Sequence, residues 1–477
     1  MDFGFVGPAY EAPSLTQDTQ ELINWYCEID RTKGPQDRGV IALYPTPGLT
    51  AKLQPQVAEV RGLYTLPGGA TLLAIVGAGF YSIDSTFTAT LRGNLLSSSG
   101  PVNITTNGIA AYFCDGTNRY SYTFTGNVFS IVPVTDGAFN GGGRSDIVDN
   151  FIIYPRPGTQ QWGATSALSV SSPALSFSSK DGAPDNLVAP FVTSRQIYLL
   201  GEVTGEVWIN AGLFPFPFQR IPGTSFQHGC ASAASISRLG NSFAYLSRDD
   251  RGQGIVVYMD GYNPTQISTH AVTNDIKDDY IADAIGFTYQ IEGHEMYVLT
   301  FPTADKTWVY DLSTQYWHKW RWVDEFNVYH RHRANCCAVF QGQVLVGDWE
   351  NGKIYQVSNT VYTDDGQTIR RLRRTPHVVS DMNQVFFTRL QLQFQPGIGI
   401  VSGQGSDPQV MMRMSNDGGN TYGNERWNSI GKAGAYRDRV IWRRLGYARD
   451  RVYEVVVTDP IKAVIVSANL VASAGSN

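Results

Sequence analysis

The stretch Ser415 to Gly423, SNDGGNTYG, fits the aspartate-box pattern S-x-D-x-G-x-T-W, with Tyr422 in the place of the tryptophan. Boxes of this kind occur on the blades of sugar-cleaving propellers, so the chemistry at stake is glycoside cleavage. That reaction needs an arginine cluster for an acidic substrate, a nucleophile paired with a carboxylate, and an acid, all on one face. The arginines here crowd instead into RRLRR (370–374) and RDRVIWRRLGYARDR (437–451), and the box occurs once. A hairpin accounts for the residues better. Asp417 would accept backbone hydrogen bonds across the turn, Gly418 and Gly419 would take unusual φ, and Tyr422 would pack beneath. No catalytic set emerges, and the chain is expected not to be an enzyme.

Other groupings could also carry chemistry. YHRHRANCC offers His330, His332, Cys336 and Cys337, but adjacent cysteines on a strand point to opposite faces, so at most one could join the histidines on a metal. The acidic doublets Asp249/Asp250, Asp278/Asp279 and Asp364/Asp365 lie beside turn-type residues and are expected as solvated loop tips. In QYWHKWRW, Tyr316, His318, Trp320 and Trp322 alternate with Trp317, Lys319 and Arg321. Such interleaving can stack on nucleic acid, or form the inner strand of a buried sheet, which is the expectation adopted. GAGF at Gly77 precedes a strand, not the helix a phosphate loop requires. No cofactor and no metal are expected.

The elements that would have to position these residues repeat. An apolar strand behind a turn recurs seven times, at Gly69, Gly108, Asn150, Arg195, Gly240, Gly293 and Gly342, with spacings of 39, 42, 45, 45, 53 and 49 residues. A strand bearing an aromatic follows each, from FYSID at Phe80 to KIYQVS at Lys353. Periods of this length mark propeller blades, whose radial stacking buries faces that single sheets would expose. The predicted fold is all-β: a β-propeller of six or seven blades over 56–361, preceded by an N-terminal extended arm (1–55) and followed by a C-terminal antiparallel β-sandwich-like domain (362–477). That last domain is read from five alternating strands beginning near Phe387, Gln409, Asp438, Val452 and Lys462, after a charged connection at 363–379.

Composition agrees with this: 477 residues, 48 of them glycine, 12% aromatic and only 17% charged, a balance that favours strands and turns over long charged helices. A net charge of −5 argues against dedicated DNA binding, which needs a basic surface. The N-terminus has no secretion-signal pattern, no apolar run is long enough to span a bilayer, and the five cysteines form no disulfide or zinc spacing. A protein made in the cytosol, with no membrane insertion, is expected.

Two stretches resemble the packaged-DNA stabilisation, or tail-hub (nozzle), proteins of short-tailed bacteriophages. INWYCEID…GVIALYPTPGLT places Asn24, Tyr26, Pro47, Gly48 and Leu49 on that family's N-terminal signature. MRMSNDGGNTYGNERW…YRDRVIWRRLG places Asp417, Gly418, Tyr422, Gly423, Arg439, Val440, Trp442, Arg444 and Gly446 on its C-terminal one, with an additional glycine at Gly419. VYDLSTQYWHKW is similar to a further element of the family.

The resemblance implies a structural virion protein: a hexameric ring below the head-to-tail adaptor that continues the DNA channel, retains the genome and carries fibres, spikes or a needle. Duplex DNA would pass through transiently, so acidic or neutral residues are expected along the lumen. Pro47, Gly48, Asp417, Gly418 and Tyr422 are expected as structural turn residues. The strand with Arg439, Trp442, Arg443 and Arg444 is the candidate contact to other subunits or the adaptor, with Val440, Trp442 and Arg444 on one face and Ile441, Arg443 and Leu445 on the other. The alternative is a glycan- or receptor-binding propeller of a phage tail, or, further off, a sialidase-like glycosidase.

Overall fold

The computed structural model describes residues 3–34, 40–132, 143–249, 251–380 and 383–475. Seven four-stranded antiparallel blades succeed one another: five are separate sheets between Val60 and Gln266, the sixth (Ile285–Lys319) belongs to a ten-stranded sheet, and the seventh takes three of its strands from Ala334–Ser358. Every apolar segment read as a repeat is the second strand of a blade, from Leu72–Val76 to Gln343–Asp348, and every aromatic-bearing segment is the third. These middle strands are mostly buried because both of their faces are covered. In blade one, Leu72, Ala74 and Val76 face the core shared with blade seven, while Leu73 and Ile75 face the core shared with blade two. Comparable apolar layers fill the remaining five interfaces around the ring.

Residues 1–55, expected as an extended arm, are woven into three sheets. Gly48–Leu53 pairs antiparallel with Ile354–Ser358 and is the fourth strand of blade seven, so the N-terminal segment closes the propeller. Trp25–Ile29 and Ile41–Pro45 pair with each other and join Ile465–Ala474, Val385–Phe394 and Val440–Arg443 in one sheet of the sandwich. Glu21–Ile23 lies in the other sheet, beside Arg371–Arg374, Asp450–Val457, Gln409–Ser415 and Arg426–Ser429. All five predicted C-terminal strands are present, and the apolar layer between the two sheets includes Trp25, Leu43, Leu390, Val440 and Tyr453.

Propeller and sandwich share a sheet. Glu21–Ile23 runs parallel to Tyr316–Lys319, the fourth strand of blade six, and antiparallel to Arg371–Arg374, making one ten-stranded sheet. QYWHKWRW is therefore an outer strand, not the expected inner one. It is nevertheless buried from Trp317 to Trp320, because a strand of the sandwich pairs along the edge that would otherwise face solvent.

Candidate functional site

The aspartate box sits on this shared sheet. Ser415 Oγ donates to Asp417 Oδ1 at 2.6 Å and accepts from the Gly419 amide at 2.8 Å. Asp417 accepts from the Thr421 amide and hydroxyl at 2.9 and 2.6 Å, and these bonds hold its carboxyl down to about 2. Gly418 and Gly419 lie at φ 71° and 93°. The Tyr422 ring rests under the guanidiniums of Arg374 and Arg413, 5.3 and 5.2 Å from its centroid. The hydroxyl of Ser415, the carboxyl of Asp417 and the ring of Tyr422 are thus engaged within the turn or beneath it, and the nearby Asp450 carboxylate is bonded to His377 at 2.8 Å.

Beneath Tyr422 runs a ladder of charges that sequence reading missed. Lys319 of blade six pairs with Glu11 and Glu21, and Arg374 with Glu21 at 3.0 Å and Glu454 at 2.8 Å. Glu454, almost wholly buried, also accepts from Arg413 Nε at 2.9 Å. Buried charges persist where neighbours compensate them, and here the compensation crosses five adjacent strands. Register decides this, since Glu21 stands opposite Arg374, Arg374 opposite Glu454 and Glu454 opposite Arg413.

The N-terminal signature residues hold the same junction. Asn24, at φ 56°, turns the chain from one sandwich sheet to the other. Its amide donates to the carbonyls of Arg321 and Arg370 and accepts from the Arg321 amide, all at 2.9 Å. Pro47 leads into Gly48, where a Cβ would come within 2.5 Å of the carbonyl oxygens of Val361 and Thr363. Close backbone approach, not positive φ, demands glycine there.

The segment read as a charged connection holds short strands, and in one of them, Arg371–Arg374, the first three residues are buried. Arg373 Nε donates to the Phe5 carbonyl at 2.7 Å, and Arg371 reaches the carbonyls of Asp459 and Tyr362 at 3.3 Å. Burial lowers both guanidiniums to about 10. Within the same segment Asp364 is buried, not a solvated tip, and desolvation raises its carboxyl to about 7. Its neighbour Asp365 accepts from Lys353 at 2.6 Å. Asp279 pairs with Lys306 at 2.9 Å while Asp278 is exposed. Asp249 caps its own turn, and Asp250 lies outside the described residues.

The candidate interface strand is divided. Trp442 belongs to the sandwich core and donates from Nε1 to the Arg426 carbonyl at 3.1 Å. The expected alternation ends at Arg443, because Arg444 adopts φ 56°; this local break turns Leu445 inward beside Val440 and Trp442 and leaves Arg444 exposed. Arg439, Arg443 and Arg444 are exposed, and among the described residues no carboxylate pairs with them. Arg443 and Arg444 border a groove of about 840 Å³ lined by Phe386, Arg389, Tyr447 and Val471. Its signal lay in the outward positions of VFFTRLQ and in GYAR, which the strand reading passed over.

The remaining candidates are dispersed. His330 bonds Asp305 and Asp324, whereas His332 is enclosed beside Trp320, where burial lowers its imidazole to about 4. Cys336 packs toward blade one and Cys337 toward blade six. Among the described residues no three His, Cys, Asp or Glu side chains gather as metal ligands, and no helix is long and apolar enough to cross a membrane. The first strands of all seven blades line an axial cavity of about 510 Å³ that includes Arg144, Asp146 and Arg238.

The chain is thus a protein of the class that joins a seven-bladed propeller to a β-sandwich, here through a shared sheet. Residues 43–362 match the family model for the β-propeller of bacteriophage P22 Gp10, and residues 370–473 match that for its β-sandwich. The chain belongs to this family, the packaged-DNA stabilisation or tail-hub proteins of short-tailed bacteriophages. No curated protein matches it. Among solved structures it is similar to the N-terminal domain of Nup159, with 11% identity, 70% of this chain and 98% of that chain covered and a TM-score of 0.41. The WD40 domain of Neurospora crassa Pan2 gives 10% identity, 66% and 96% coverage and a TM-score of 0.42.

Proposed function

We propose that this chain is the subunit of a ring in a short phage tail, a hexamer seated below the head-to-tail adaptor, where it continues the DNA channel, retains the packaged genome and conducts it at ejection. Fibres, spikes or a needle would attach to the same ring. The role is structural and not enzymatic, carried out in the virion after assembly in the host cytoplasm, without insertion into a membrane.

The observation that carries this reading is the segregation of charge between the two parts of the chain. Residues 362–477 hold 15 Lys and Arg against 10 Asp and Glu, a net +5, whereas residues 1–361 hold 22 against 32, a net −10. Opposite ends of like copies therefore attract, which suits head-to-tail closure of a ring. The axial cavity of about 510 Å³ is far too small for a duplex whose major groove alone is about 12 Å wide. DNA would run between subunits of the ring, along surfaces where acidic or neutral residues let it slide.

Negative-stain microscopy of the full chain, alone and with purified adaptor rings of the same phage, tests the reading. Six-fold rings are expected. A chain that stays monomeric under both conditions and instead binds glycans would overturn it in favour of a receptor-binding module.

A further inference from the structure

The groove beside Arg443 and Arg444 has the composition of a docking site. Phe386, Tyr447 and Val471 are 46%, 58% and 38% exposed, an apolar patch on a sheet face that otherwise presents polar residues such as Thr388 and Gln391. Three arginines, Arg389, Arg443 and Arg444, border it together. Arg389 stands in register with Arg443, its Nε shielded from solvent without an acceptor. An aromatic floor with unpaired guanidiniums at the rim is the usual make-up of an interface centre, and it calls for an apolar anchor flanked by carboxylates.

Among the described residues one such anchor stands out. Four large apolar side chains are more than three-quarters exposed among the described residues: Val57, Phe214, Phe326 and Val401. Phe326 alone follows directly on two acidic residues, Asp324 and Glu325. It crowns the hairpin between Arg321–Val323 and Tyr329–Arg331, with Val328 half exposed beside it. Asp324 Oδ1 accepts from the amides of Phe326 and Val328 at 2.9 and 2.8 Å, so the tip is held in shape before it meets anything. Preorganisation of this kind lowers the entropy cost of association.

We infer that the hairpin tip Asp324–Val328 of one copy docks into the Phe386/Tyr447/Val471 groove of the next, with Phe326 on the aromatic floor and Glu325 facing Arg443 and Arg444. The contact is heterologous: groove and tip are different surfaces, so every copy offers one of each and repetition closes a ring when the rotation allows it. The inference rests on the ring reading above and names the contact that builds the ring.

The test uses the full chain, alone and on adaptor rings, with Phe326→Ser, Glu325→Arg, Arg443→Glu and the exchange pair E325R/R443E. All three positions are solvent-facing, so unchanged thermal unfolding is expected and identifies any variant that fails by misfolding. Phe326→Ser, Glu325→Arg and Arg443→Glu should each lower the fraction in rings by about tenfold or more, and the exchange pair should recover rings relative to either charge reversal alone. Copies carrying F326C mixed with copies carrying Y447C should give a disulfide-linked dimer under oxidation that neither forms alone. Undiminished rings from Phe326→Ser and Arg443→Glu would overturn the docking and leave the ring reading intact. Rings that persist while adaptor binding is lost would overturn it by assigning the groove to the adaptor. Absence of rings from the unaltered chain would overturn both.

Discussion

Two histidines of blade six face opposite electrostatic situations within one small region. His294 Nδ1 meets Asp311 at 2.8 Å and Nε2 meets Glu28 at 2.6 Å, tying the propeller to a sandwich strand. The Asp311 bond foremost, and then Glu28, raise its imidazole to about 9. His318 is buried with neither ring nitrogen bonded, and desolvation lowers it to about 4. The consequences for stability have opposite signs. The contribution of His294 is complete below the unfolded value near 6.5 and is lost as pH rises through about 9. His318 must acquire a proton on unfolding below about 6.5, so stability falls as pH drops from there toward 4, and His332 adds to the same limb. Urea midpoints should therefore peak near neutrality. His294→Gln should flatten the alkaline limb, and His318→Leu should weaken the acid limb. His294→Ala should cost about 3 kcal/mol at pH 6, because it strands the buried Asp311 carboxylate. Neither histidine was singled out in sequence as a paired group, since Asp311 meets His294 through the hairpin register of blade six and Glu28 only when the N-terminal strands dock.

At the scale of elements, the seven second and third strands were legible because an apolar strand behind a turn and an aromatic-bearing strand after it recur near a 45-residue period. Less legible was where the last blade finds its fourth strand. GLTAKL looks like any short edge strand, and its partner Ile354–Ser358 lies some three hundred residues away. Gly48 is the residue on which that closure turns. Gly48→Ala should destabilise by about 3 kcal/mol, the cost of forcing a methyl group into a packed backbone contact, and hydrogen exchange should quicken first along Ile354–Ser358, where the strand would peel away. An unaltered exchange pattern in that strand would count against the closure. The arginine-rich strand was legible in its first half, where Val440 and Trp442 alternate inward, and not in its second, because the left-handed Arg444 resets the alternation and no periodic rule foresees a single residue doing so.

For the whole molecule, the ten-stranded sheet makes the propeller and sandwich one cooperative body. Calorimetry should show a single transition, and Glu454→Ala should lower it by several degrees, since removing this buried carboxylate leaves Arg413 without its counter-ion and Arg374 with Glu21 alone. Two separated transitions in the unaltered chain would mean the shared sheet does not couple the halves. The amino-acid sequence by itself determined the all-β class, the blade repeat, the five strands of the C-terminal domain and, through Asn24, Pro47, Gly48 and the 415–423 turn, the family. These follow from local period and turn chemistry, which act over a few residues and survive without knowledge of partners. The tertiary structure alone decided the N-terminal closure of blade seven, the charge ladder beneath Tyr422, and which arginines are buried and which are free. Arg371 and Arg443 are alike as residues in a strand; what separates them is the sum of surfaces that pack over each, brought there by segments far apart in the chain.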